Sequence, residues 1–120
     1  MTPENPLPRR TGLAGLDAYR VALELYRELL AATARLARGH LMDQLQRAAE
    51  SVALNIAEAY PATGAERARR FRIASDEATE CSAALDLLEL RGLVGGATLA
   101  RLRELLDRER AMLWRLGHRR

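Results

Sequence analysis

The apolar residues of this chain recur at spacings of three and four along four stretches, with turn-forming residues between them. That period matches the 3.6-residue turn of an α-helix, so each stretch reads as a helix with one core-facing side. No stretch alternates apolar and polar residues as a half-buried strand does. The four helices are read as Leu13 to Arg38, Leu41 to Tyr60, a third opening at Thr63-Gly64-Ala65-Glu66, and Ala97 to Leu116. Gly39, Pro61 and the set Gly92, Gly95 and Gly96 supply the breaks, since glycine or proline past a periodic run is where helices stop. Thr63 and Glu66 form a capping-box pattern. Helices of similar length joined by short breaks predict an all-α, antiparallel up-down-up-down four-helix bundle. It spans residues 13–117, after a flexible proline-rich arm at 1–12 and before a basic tail at 118–120.

The first helix carries two apolar seams. One is Leu16, Tyr19, Leu23, Tyr26, Leu30, Thr33 and Ala37; the other is Ala18, Ala22, Leu25, Leu29, Ala32 and Leu36. An ordinary surface helix shows one such stripe, so a second buried side is expected to meet another subunit through Leu25, Leu29 and Leu36. The third helix has a seam of Phe71, Ala74, Ala78, Cys81, Leu85 and Leu88, and the fourth buries Leu99, Leu102, Leu105, Leu106, Met112, Leu113 and Leu116 around Glu109. Trp114 points away from that face. A large aromatic at a helix edge marks an interface more often than open water, so it joins the expected homo-oligomer contact.

On the second helix, Gln44, Arg47, Ser51, Asn55 and Glu58 fall in one polar stripe beside the apolar face of Leu41, Leu45, Ala48, Val52, Ile56 and Ala59. Polar groups that hug a core face need partners if they are buried. The expectation is a structural network in which Asn55 and Glu58 are buried, with Arg47 and Glu80 as partners and Gln44 and Ser51 completing it.

Every one of the 19 basic residues is arginine, a planar bidentate donor suited to phosphate and carboxylate. The net charge of +3 permits nucleic-acid binding without requiring it. Its distribution says more. Glu66 to Arg72 holds four arginines against one acid, whereas Asp76 to Arg91 holds one arginine against five acids. Cations at a helix N-terminus oppose the helix dipole, so Arg67, Arg69, Arg70 and Arg72 point to a use outside the helix. Arg101, Arg108 and Arg115 recur every seven residues along one edge of the fourth helix. Together these seven are the candidate phosphate contacts.

Enzymatic chemistry finds no footing in the sequence. Neither His40, at a helix boundary, nor His118, in the tail, belongs to a Glu-x-x-His pair of the kind that holds metals in bundles. The glycine break lacks the lysine of a phosphate loop. Cys81 lies on a core seam, where a small buried thiol is usual. The expectation is therefore a non-enzyme without cofactor, metal or small-molecule substrate. With a lone cysteine, no signal peptide and no span of ~20 apolar residues, it is expected to be cytoplasmic and not in a membrane.

Gln44-Leu45-Gln46-Arg47-Ala48-Ala49, then Ser51, then Asn55-Ile56-Ala57-Glu58 resembles the signature of a bacterial family. Phe71, Ile73-Ala74-Ser75 and Glu80 match its third-helix pattern, and the similarity runs from about Leu16 to Leu116. The family is the small four-helix-bundle proteins of 23S ribosomal RNA intervening sequences, which includes the accessory variability determinant of diversity-generating retroelements. The resemblance implies a homo-oligomer, a pentamer in the retroelement branch, with a basic surface that binds nucleic acid and a reverse transcriptase. The chain departs from the pattern at Gln46, where an arginine is usual, and at Ala59, where glycine is usual. Two readings follow: an accessory protein that binds RNA or DNA, or an interaction module for a protein partner.

Overall fold

The computed structural model describes residues 5–119. Four helices follow a short 3₁₀ turn at Gly12–Gly15: α1 (Asp17–Thr33), α2 (His40–Ala59), α3 (Gly64–Arg91) and α4 (Gly96–Gly117). Each helix packs on its neighbours in sequence, and α1 closes the ring against α4. This is the antiparallel up-down bundle that the periodicity dictates. Leu25, Leu29, Leu45, Ile56, Phe71, Leu85, Leu102, Leu105 and Leu113 form its fully buried centre. Burying a side chain of that size contributes roughly 1.5–3 kcal/mol.

The first helix differs most from its sequence reading. It is not continuous from Leu13 to Arg38. Gly12 takes a left-handed φ of 53°, which glycine alone adopts freely, and the chain turns there before α1 begins at Asp17. At the other end the Thr33 hydroxyl donates to the Leu29 carbonyl (2.8 Å), a competing bond that weakens helix continuation. Residues 34–38 are irregular, and Gly39 lies before α2 as its N-cap.

One seam of α1 is buried by the chain itself and the other is covered in part, with Leu30 left 39% exposed. Ala18, Ala22, Leu25 and Leu29 face the bundle core, with Leu25 and Leu29 at most 2% exposed. They are therefore core residues and not the subunit contact expected of them; Leu36 packs half-buried on the same core. The adjoining seam meets the N-terminal arm. Pro6 and Leu7 share a crevice with Leu23, Tyr26 and Leu30, while the Arg20 and Arg27 guanidinium groups donate to the Pro8 and Asn5 carbonyls. Residues 5–8 thus run along α1, held by two arginines one heptad apart. The flexible arm expected at 1–12 is here a strap, and its first four residues lie outside the described ones. Tyr26 also donates to Glu50 of α2; burial first, and that carboxylate second, push its phenol above the usual range.

Candidate nucleic-acid interface

Antiparallel packing brings the start of α3 beside the end of α4. Arg72 donates to the Gly117 carbonyl (2.9 Å), satisfying the end of α4 with a cation where the helix dipole favours one. A cleft lined by Gly64, Arg67, Ala68, Phe71, Leu116 and Arg119 opens at this junction. Arg67 lies over the Phe71 ring, 5.5 Å from its centroid, a cation–π contact that holds the guanidinium at the cleft wall. Thr63 caps α3 in an extended conformation but makes no side-chain cap bond. The first amides of α3 therefore keep their capacity to donate. The capping box suggested by Thr63 and Glu66 is absent because Glu66 turns to Arg69 and Arg70 instead.

The seven candidate arginines divide by what they already hold. Arg70 is bound by Glu58 (3.3 Å) and Glu66 (3.0 Å), and Arg69 lies 3.4 Å from Glu66. Arg101 meets Glu24, Glu28 and Glu104 at 3.8, 3.3 and 2.6 Å. The Glu104 bond, then Glu28, raises its pKa. Arg72 is engaged by Gly117. Among the described residues, Arg67, Arg108 and Arg115 have no carboxylate within ion-pair distance. Of these only Arg67 lines the cleft, where Arg119 joins it, a residue whose part is hidden in a linear reading because the antiparallel topology alone sets the C-terminal tail against the start of α3.

Trp114 is 60% exposed, as its outward position requires. Its ring stacks on His118 with centroids 4.3 Å apart and planes 18° from parallel. The His118 Nδ1 lies 2.8 Å from the Trp114 carbonyl, fixing the imidazole against the indole. The tail therefore continues the last turn of α4 as a two-ring platform beside Arg115 and Arg119. The helical spacing of four, 114 to 118, is the sequence signal for it.

The polar stripe of α2 resolves into a gradient instead of a buried network. Asn55 alone is buried; its amide donates to the Ser51 carbonyl (2.9 Å) and hydroxyl (3.1 Å). Glu58 is exposed and paired with Arg70, not with Arg47 or Glu80. Arg47 and Glu80 are exposed as well, and Arg47 donates to Gln44 (3.0 Å). At 100° per residue, Asn55 sits about 60° from the core direction while Arg47 and Glu58 sit about twice as far. Gln44, Arg47, Ser51 and Glu80 do converge, with Glu77, on a small polar hollow between α2 and α3. Burial, then the neighbouring Glu80 carboxylate, raises the Glu77 pKa. Cys81 lies just inward, and burial pushes its thiol up to about 12. Among the described residues no group of histidines, cysteines and acids is placed to hold a metal ion, and no helix is long and apolar enough to cross a membrane.

The model of the 23S rRNA-intervening sequence protein family matches residues 15–115, all of the bundle but the last two residues of α4. The chain belongs to this family. No individual curated protein matches it. The matched span covers the polar stripe, the α3 arginines and Trp114, and it leaves the strap and the tail outside.

Proposed function

We propose that this member of the family is a non-enzymatic accessory protein that binds RNA or DNA phosphates through one end of its bundle, in a homo-oligomer that repeats that end. The observation that carries the reading is the concentration of uncommitted arginine there. Arg67 and Arg119 line the cleft at the start of α3 and Arg115 lies on the last turn of α4, none with a carboxylate partner among the described residues, whereas Arg38, Arg101 and Arg103 elsewhere are each held by carboxylates. A cation already paired adds little to phosphate binding. An unpaired one releases condensed counterions from the nucleic acid. Backbone amides at an uncapped helix start add donors for the same anion. The Trp114–His118 stack supplies an aromatic surface beside the arginines, and base stacking on such a surface is sequence-tolerant. A reverse transcriptase is the partner that the resemblance adds, to be sought by co-purification.

Fluorescence anisotropy with labelled RNA and DNA at two ionic strengths tests the proposal. Sequence-tolerant binding that falls steeply with salt is expected. Combined Arg67→Gln, Arg115→Gln and Arg119→Gln should flatten the slope of log affinity against log salt by roughly one for each phosphate no longer neutralised. Arg101→Gln should change it little, because three carboxylates already neutralise that side chain. Absence of binding at low salt from an assembled protein would replace this reading with a protein-interaction role.

A further inference from the structure

Trp114 is the chain's single tryptophan, and the end of α4 builds a setting for its ring. One face of the indole is covered by the His118 imidazole, stacked at 4.3 Å and 18° from parallel. The other face carries neither a ring nor a guanidinium group among the described residues, and the residue stays 60% exposed. A large aromatic left exposed marks a contact, and its neighbours decide with what. Among the described residues of α4, Trp114 is the only large apolar residue exposed, so it lacks the surrounding apolar patch that marks a protein contact. Cations flank it instead. Arg110 stands four residues back, about one turn earlier on the same side of the helix, and Arg115 is adjacent. Both are exposed, and neither has a carboxylate within ion-pair distance among the described residues. A flat π-face between free guanidinium groups matches a nucleotide, whose base is planar and whose phosphate is anionic. An acidic protein surface would pair the cations and leave the indole in water.

We infer that the open face of Trp114 takes an unpaired nucleobase, one per chain, while Arg110 and Arg115 hold the phosphates beside it. The ligand class is therefore single-stranded nucleic acid, because inside a duplex both faces of each base are covered by the neighbouring pairs. The stack on His118, whose Nδ1 lies 2.8 Å from the Trp114 carbonyl, holds the indole in place before the base arrives. That order lowers the cost of binding. His118 lies beyond residues 15–115, so the two-ring platform depends on the chain's own tail and not only on the span it shares with its family. A ring face does not read base edges, so strands of any sequence are accepted.

Base stacking here rests on the phosphate binding proposed above, and two probes separate them. One is a single strand of twelve thymidines; the other is an abasic strand of equal length, which keeps the phosphates and lacks the bases. The thymidine strand should quench Trp114 fluorescence, a signal with no second tryptophan behind it, and the abasic strand should bind without quenching. In anisotropy, Trp114→Ala should weaken binding of the thymidine strand roughly 5- to 150-fold, the range for one lost base stack, and leave the abasic strand unchanged. Trp114→Phe keeps a π-face and should recover part of that loss. Helical circular dichroism should be unaltered in both variants, since the residue is exposed. Fluorescence that does not distinguish the two strands, or a Trp114→Ala loss equal for both, would overturn the inference and leave phosphate binding standing. Binding of neither strand at low salt would remove both.

Discussion

Glu109 has no exposed surface, and neither carboxyl oxygen has a hydrogen-bond partner. Burial raises its pKa well above the ordinary 4.5, against the opposing pull of Arg108. The folded protein therefore keeps this proton at pH values where the unfolded chain has released it. Above pH 4.5 the unfolded state binds fewer protons, so stability falls as pH rises, by up to about 1.4 kcal/mol per pH unit for one such group. Urea denaturation at pH 5 and 7.5 should show that fall, and Glu109→Leu should remove most of the difference while raising stability by about 1–3 kcal/mol at neutral pH. Glu58→Ala, by contrast, removes a half-exposed partner of Arg70 and should cost only about 0–1 kcal/mol. The sequence shows Glu109 among leucines and so reveals its burial. It cannot reveal that Asn55 goes inward while Glu58 stays out, because a difference of about 60° around a helix depends on how close the next helix lies.

At the scale of elements, the periodicity makes all four helices legible, with α2, α3 and α4 placed within a residue or so at each end. The seams of α1 are legible as seams, but not what covers them. Ala18, Ala22, Leu25 and Leu29 could equally meet a neighbouring subunit; only the packing of α1 between α2 and α4 turns them inward. The strap over the other seam rests on Arg20 and Arg27 donating to backbone carbonyls, which leave no mark in a sequence. Close helix approaches are similarly hidden. A Cβ on Gly117 would lie 2.8 Å from Cγ of Arg72, whereas one on Gly96 would meet nothing within 4 Å. Gly117→Ala should therefore destabilise by about 1–3 kcal/mol through overpacking and loosen the Arg72 bond to α4. Gly96→Ala should stabilise by about 0.5–1 kcal/mol by reducing the freedom of the unfolded chain at a helical position. Thermal melts of the two variants, shifting in opposite directions, would check the contrast.

Across the whole molecule, charge is sorted along the 42 Å axis of the bundle. Arg67, Arg115 and Arg119 stand without a carboxylate partner where α3 begins and α4 ends, while acids engage Arg38, Arg101 and Arg103 towards the other end. In the proposed homo-oligomer the basic end is repeated once per chain, so one assembly should engage several phosphates at once. An immobilised 12-base-pair duplex should then capture the protein and, through it, a second labelled duplex free in solution. Raising salt should release both together, since the same arginines hold each duplex. Capture of the first duplex without the second would place one nucleic-acid site on the whole assembly and contradict that repetition.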